Sequence, residues 1–345
     1  MALFFPTLYG NASLKARMQE RLAQHTVSHA YLIQGDPGTG KHLFAHLLAA
    51  ALCCEKRDCE NASVPCGECN ACYKILSVGT PDLMEIGRGE NASVGIEAIR
   101  AIKADMFLAP AELEKKVYII EDADYLTPAA QNALLVALEE PPRNVHIFLL
   151  CHDASSLLPT VRSRVQMLTM SHLTDAEMQT ALQQVPAARL LQDAKPEEYR
   201  AVLTLAGGSL GLALRLLDDK TRIAIEEIRR HCTNILSCVG SRVPYSRLYQ
   251  AVAALPTKRK ELTSELSYLL SAIRDLTLLK RDENVQLCYF DERESAIQTA
   301  AAYSLRCLFA IYDATEQVIK QVDQNANIGV SLTVFTELLH RAPSK

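Results

Sequence analysis

Gly35-Asp36-Pro37-Gly38-Thr39-Gly40-Lys41-His42 is the stretch whose reading decides the fold of this chain. It follows the apolar run Ala30-Tyr31-Leu32-Ile33 and opens into a helix-patterned segment carrying Leu43, Phe44, Leu47 and Leu48. A strand, a glycine-rich loop and a helix in that order form the setting of a phosphate-binding P-loop. Gly35, Gly38 and Gly40, with Thr39 between them, let backbone N–H groups turn inward around an anion. The helix N-terminus adds partial positive charge, and Lys41 reaches the terminal phosphates. The closing position departs from the pattern. A Ser or Thr hydroxyl ordinarily ligates magnesium there, and this chain has His42, a poor ligand for so hard a cation. The loop is therefore expected to hold ATP or ADP with magnesium weakly bound, and not to drive hydrolysis.

Working outward, residues 11 to 25 have helical spacing, with Leu14, Met18 and Leu22 on one face. After the P-loop helix the pattern stops at a polar, cysteine-rich insert from Cys53 to Cys72, and a further helix runs from Ile96 to Phe107. Val117 to Ile120 is a strand closed by two acids, Glu121 and Asp122; residues 128 to 139 are helical up to Pro141-Pro142, and Val145 to Leu150 is another short strand. Strands alternating with helices imply a parallel sheet with helices on both faces and the P-loop at the carboxyl ends of the strands. From Ser171 onward only helical periodicities occur. The fold class expected is an α/β P-loop domain followed by an all-helical second half.

Glu121 and Asp122 occupy the place of a Walker B pair, in which one acid holds magnesium and the second polarises the attacking water. The usual order, Asp then Glu, is reversed, which displaces each carboxylate by about 1 Å, enough to cost much of any rate. The insert carries Cys66-Gly67-Glu68-Cys69-Asn70-Ala71-Cys72, two consecutive Cys-x-x-Cys spacings suited to tetrahedral zinc, which needs one more thiolate. Zinc held there would be structural, since all its ligands are thiolates and none of its positions is open. The cysteines at 232, 238, 288 and 307 lie on helical faces and read as core. His46 and His152 receive no role.

Bulk properties narrow the classes. A chain of 345 residues, 49% hydrophobic and 22% charged, accommodates two or three domains with real cores. Its net charge of −4 gives no general reason for nucleic-acid affinity, so any DNA contact is local or made through partners. Met1 to Tyr9 lacks a basic region and contains a proline, unlike a signal peptide. No apolar run reaches the roughly 18 residues of a membrane span. A cytoplasmic protein without membrane partners is expected, and its eleven cysteines point to metal or free thiols before disulfides.

His29-Ala30-Tyr31, the cysteine insert, Val-Tyr-Ile-Ile-Glu-Asp-Ala-Asp at 117 to 124, Asn132-Ala133-Leu134-Leu135 running into Leu138-Glu139-Glu140-Pro141-Pro142, and Leu158-Pro159-Thr160-Val161-Arg162-Ser163-Arg164 occur in that order. Together they resemble the bacterial clamp-loader branch of the AAA+ proteins, over residues 5 to about 220 and more weakly at Asn325-Ala326-Asn327 near the end. The resemblance implies an AAA+ domain at 1–170 with a zinc module at 53–73, a helical lid at 171–222 and a helical collar at 223–345. It makes Cys54 the remaining zinc ligand if the preceding helix is aligned without gaps, with Cys59 the alternative. The family's Ser-Arg-Cys motif falls on Ser163, Arg164 and Val165, so that Arg164 would reach the nucleotide of a neighbouring subunit. Two sensor positions fall on Cys151 and Gly211, neither able to do the sensor's work; Arg215 comes one helical turn late. What the resemblance then implies is a stator subunit without its own motor activity. Its partners would be gamma/tau-type ATPase subunits and a delta subunit in a hetero-pentamer, acting on a sliding clamp and primed DNA.

Overall fold

The computed structural model describes residues 4–59, 62–89, 93–241, 243–282, 285, 287, 289–290 and 293–343, with the side chain of Lys260 left aside. Cys288, expected on a helical face, lies outside the described residues. The chain divides into two compact units, residues 1–182 with 209–212, and residues 183–208 with 213–345.

In the first unit α1 (Ala12–Ala23) leads to β1 (Ala30–Gln34), the P-loop and α2 (Lys41–Cys53). The insert contributes a one-turn helix, α3 (Asn70–Tyr73). Then follow β2 (Leu83–Ile86), α4 (Ile96–Asp105), β3 (Lys116–Ile120), α5 (Pro128–Glu139), β4 (Val145–Cys151), α6 (Pro159–Arg162), β5 (Gln166–Thr169) and α7 (Asp175–Leu182). All strand pairs are parallel, in the order β2-β3-β4-β1-β5. The expected strands at 30–33, 117–120 and 145–150 are its middle members. They read as unbroken apolar runs because both faces of the sheet are covered.

Alternate residues feed two cores. Tyr31, Ile33, Val117, Ile119, Phe148 and Leu150 pack with α1, α2 and the cysteine insert. Leu32, Tyr118, Ile120, Ile147 and Leu149 pack with α4 and α5 on the opposite face. The period-two geometry of a strand produces this division. The edge strands β2 and β5 are half exposed, and their sequences Leu-Met-Glu-Ile and Gln-Met-Leu-Thr carry no apolar run to mark them. Helix α5 begins where expected, with Thr127 accepting from the Ala130 N–H and Pro128 in the first turn. Helix α2 starts differently. Its N-cap is Gly40 at φ +92°, which has no side chain to satisfy the first-turn amides and leaves them to an anion.

The second unit is helical throughout its described residues. It comprises α8 (Pro186–Ala194), α9 (Pro196–Ala206), α10 (Leu210–Leu216, whose first residues belong to the first unit), α11 (Asp219–Gly240), α12 (Tyr245–Ala253), α13 (Arg259–Leu279), α14 (Arg293–Ala301), α15 (Leu305–Asp323) and α16 (Ile328–His340). Its core joins Leu262, Leu266, Leu269 and Ile273 of α13 to Leu308, Ile311 and Val318 of α15 and Phe335 of α16. Cys232, Cys238 and Cys307 are buried in that core, as expected. No helix among the described residues is long and apolar enough to cross a membrane.

Candidate functional site

The P-loop lies at the carboxyl end of β1, beside the end of β4. Gln34 pairs with Cys151, and Gly35 N–H donates to the Cys151 carbonyl at 3.2 Å. The Cys151 thiol, at the sensor position, is buried and pushed up to about 12 by that burial, so it offers neither a charge nor a strong hydrogen bond.

The loop is held by its own groups. Lys41 Nζ donates to the carbonyls of Gly35 at 2.6 Å and Asp36 at 3.0 Å. Thr39 Oγ1 donates to the Asp36 carbonyl at 2.8 Å. Burial lowers the Lys41 pKa, and Asp124 and then Asp36 oppose that most strongly among the neighbouring acids. The Asp36 carboxylate is itself clamped. His152 Nδ1 lies 3.2 Å from one oxygen and His172 Nε2 2.7 Å from the other. These two contacts hold the Asp36 carboxyl far below the usual range, and the His152 pKa is raised in return.

Opposite the loop, Ser209 Oγ donates to the Pro37 carbonyl at 3.1 Å and Gly211 N–H to the Gly38 carbonyl at 2.9 Å. Gly38, at φ +80°, has no room for a Cβ, which would stand 2.3 Å from Ser209 Oγ. A Cβ on Gly211 would stand 2.8 Å from Gly38 Cα. The absence of an arginine at Gly211 therefore has a steric counterpart: that position is packed directly on the P-loop backbone.

Both expected Walker B acids are engaged elsewhere. Glu121 Oε1 lies 3.0 Å from His42 Nε2. Asp122, in the left-handed region at φ 50°, faces Arg88 at 3.4 Å, and that guanidinium sits 3.9 Å from the centre of the Tyr125 ring. His42 also touches Glu85 Oε2 at 2.7 Å, so the residue in the magnesium-ligand position joins two carboxylates. Asp124, which sequence reasoning left without a role, is the acid with the largest pull on Lys41. His46 and Glu85 were missed as well. The spacing of His42 and His46, four apart on one helix face, was the available signal.

Arg164 follows α6 at the surface, its side chain 35% exposed, with Nη2 2.6 Å from Glu139 Oε1 and Nη1 donating to the Thr160 carbonyl at 2.9 Å. It stands apart from the P-loop residues of its own chain in every contact described for it.

In the insert, the thiol sulfurs of Cys54, Cys66, Cys69 and Cys72 lie within 4.8 Å of one another, and Cys59 is exposed outside the group. Cys66 and Cys72 sulfurs are 3.9 Å apart, against the roughly 3.8 Å between sulfurs of a tetrahedral zinc thiolate centre. Backbone N–H groups of Cys69 and Cys72 point at the sulfurs of Cys66 and Cys69 at 3.3 and 3.5 Å, as partners of thiolates would. Burial alone would raise the Cys66 pKa; the backbone N–H groups of Cys69 and Glu68, with the Cys69 and Cys54 thiols, outweigh it and bring the Cys66 thiol down to about 7. This donor set fits a structural metal.

Strand, glycine loop, uncapped helix and strand-end acids on a parallel sheet define a P-loop α/β domain. Residues 10–174 match the family described as DNA polymerase III, delta subunit. The Bacillus subtilis DNA polymerase III subunit tau is 34% identical over 62% of this chain and 37% of its own length, so the chain spans about a third of that relative. The delta-prime subunit from the same organism is 26% identical over 88% of each chain. A solved DNA polymerase III gamma subunit-related protein from Thermotoga maritima aligns over 94% of this chain and 99% of its own at 16% identity, with a TM-score of 0.47. The chain is similar to DNA polymerase III delta-prime and gamma/tau subunits.

Proposed function

We propose that the chain is the delta-prime-type, non-motor subunit of a clamp loader, an AAA+ protein that assembles with gamma/tau-type ATPase subunits and a delta subunit to load a sliding clamp on primed DNA. One observation carries the stator reading. The groups that would run hydrolysis in cis face other partners, Glu121 facing His42 and Asp122 facing Arg88, while Arg164 lies at the surface in a partly exposed pair with Glu139. A guanidinium supplied to a neighbour's nucleotide stabilises phosphate charge in the transition state without needing a working site behind it. The P-loop residues Gly35, Gly38, Thr39, Gly40 and Lys41 retain the form of a phosphate cradle, so ATP or ADP binding without turnover is part of the proposal. Cys54, Cys66, Cys69 and Cys72 would hold Zn2+, which pins an insert too small to form a core of its own. The division into AAA+ domain, lid and collar at 170 and 222 belongs to the same reading.

The 34% identical tau relative favours a second reading, an ATP-hydrolysing subunit. ATP turnover by the purified chain separates the two: robust turnover removes the stator reading. In a complex reconstituted with gamma/tau-type and delta subunits, Arg164→Ala should depress DNA-stimulated turnover by about a thousandfold or more at the site it serves. An unchanged rate removes the finger assignment.

A further inference from the structure

A second cluster of metal-ligating side chains lies where the P-loop hydroxyl is missing. His42 and His46 stand one turn apart on α2, with ring centres 4.4 Å apart, and the Glu85 carboxylate at the edge of the sheet spans them. One oxygen of Glu85 is 2.7 Å from His42 Nε2 and the other 3.1 Å from His46 Nε2. Glu121 adds a carboxylate oxygen 3.0 Å from His42 Nε2. The donor atoms of His42, His46 and Glu85 all lie within 4.8 Å of one another.

His46 makes the cluster more than a surface ion pair. Its Nε2 is buried and makes no well-formed hydrogen bond, although Glu85 Oε1 stands 3.1 Å away. A buried imidazole nitrogen left unsatisfied is unfavourable unless something takes its lone pair. A cation between the two rings and Glu85 would do so. Ligand atoms around a tetrahedral zinc ion are about 3.3 Å apart, so the two contacts of Glu85 with His42 and His46, at 2.7 and 3.1 Å, need only lengthen modestly to admit one. His42 and Glu85 are both partly exposed and free to make that adjustment.

We propose that His42, His46 and Glu85 bind a borderline divalent cation of the zinc class beside the P-loop. Two imidazoles and a carboxylate suit Zn2+ or Co2+ and disfavour Mg2+, which requires an octahedral oxygen shell. The replacement of a P-loop hydroxyl by His42 thus changes the kind of metal the loop edge takes. The inference rests on these side chains alone and holds whether or not the clamp-loader reading does.

Cobalt is the probe. The full-length chain, its cysteine cluster first filled with one equivalent of Zn2+, should bind one further equivalent of Co2+ with weak visible bands and no thiolate-to-cobalt charge transfer. His42→Asn, at an exposed position that tolerates the change, should weaken that second equivalent about tenfold or more. His46→Gln should do the same, and Cys66→Ser should leave it in place. The proposal is overturned if the wild-type chain takes up no second equivalent, if His42→Asn binds it unchanged, or if millimolar Mg2+ displaces it.

Discussion

Replacing Gly211 by Ala sets two effects of opposite sign against each other, and the structure decides between them. Gly211 is the second residue of α10 and its φ is ordinary, so alanine can adopt the backbone. Removing a glycine from a helix normally stabilises by up to about 1 kcal/mol. Here the new Cβ would stand 2.8 Å from Gly38 Cα and 3.1 Å from the Gly38 carbonyl oxygen, against backbone with no flexible side chain to yield. Overpacking of this kind costs about 1–3 kcal/mol. If the two segments part to relieve it, the Gly211 N–H to Gly38 carbonyl bond of 2.9 Å is lost at about 1 kcal/mol more. Subtracting the helix gain leaves a net destabilisation of about 1–3 kcal/mol, confined to the contact between residues 209–212 and the P-loop. The assay is amide hydrogen exchange of Gly211 and its neighbours in the full chain. It should run roughly 5- to 150-fold faster at residue 211 in G211A than in wild type. Slower exchange, with G211A as stable as an ordinary helical glycine-to-alanine variant, would refute the claim that packing enforces glycine here.

Other perturbations test the remaining contacts. Cys54→Ser should abolish stoichiometric zinc in the insert while Cys59→Ser retains it, read by metal analysis after mild purification; the reverse result would move the fourth ligand to Cys59. The clamp on Asp36 should be pH-dependent from both sides. The lowered Asp36 pKa gives stability present above the usual carboxylate value of about 4 and lost only as pH falls through the depressed value. The raised His152 pKa gives stability complete below about 6.5 and lost as pH rises through the folded value. Wild type should therefore lose more thermal stability than Asp36→Asn as pH rises above about 6.5, by a small margin because these groups are half exposed; parallel curves would dismiss the clamp. Glu139→Gln removes the Arg164 partner, an exposed pair worth under about 1 kcal/mol, so the denaturation midpoint should barely move; a large loss would make Arg164 a structural residue. His42→Ser restores the P-loop hydroxyl but should leave ATP turnover low, since Asp122 stays with Arg88 and Cys151 and Gly211 are unchanged; ordinary ATPase rates in that variant would show His42 to be the sole defect.

Much of the first unit was legible because its middle strands are buried on both faces and its P-loop glycines sit between a strand and a helix. Val145 to Cys151 is fully buried along its length, and an apolar run that short between a turn and a polar loop has few alternatives. Glu85 was not legible, because β2 is a short edge strand with no apolar run to announce it. The Arg88–Asp122 pair was hidden for the same reason. Asp124 stood in the quoted motif, but only the short helical turn after Asp122, entered through a left-handed residue, determines that this acid acts on Lys41. Cys54 against Cys59 needed the end of α2, which runs to Cys53 and delivers the next residue to the cluster.

Taken together, the contacts around the P-loop separate binding from turnover in energetic terms. A phosphate entering the loop must take Lys41 from the Gly35 and Asp36 carbonyls, an exchange of hydrogen bonds to a charged donor at about 1.5–3 kcal/mol each. Charge-assisted contacts from phosphate to Lys41 and to the uncapped amides of α2 are of at least that size, so the exchange can favour the ligand. Hydrolysis would further require Glu121 to leave His42 and Asp122 to leave Arg88, partly exposed contacts worth about 1 kcal/mol or less each, so the missing P-loop hydroxyl and the Cys151 and Gly211 positions weigh more against turnover than these pairs do. Under the stator proposal the arginine acts on a neighbour's nucleotide, and Arg164 must give up both its partly exposed pair with Glu139 and its bond to the Thr160 carbonyl to do so.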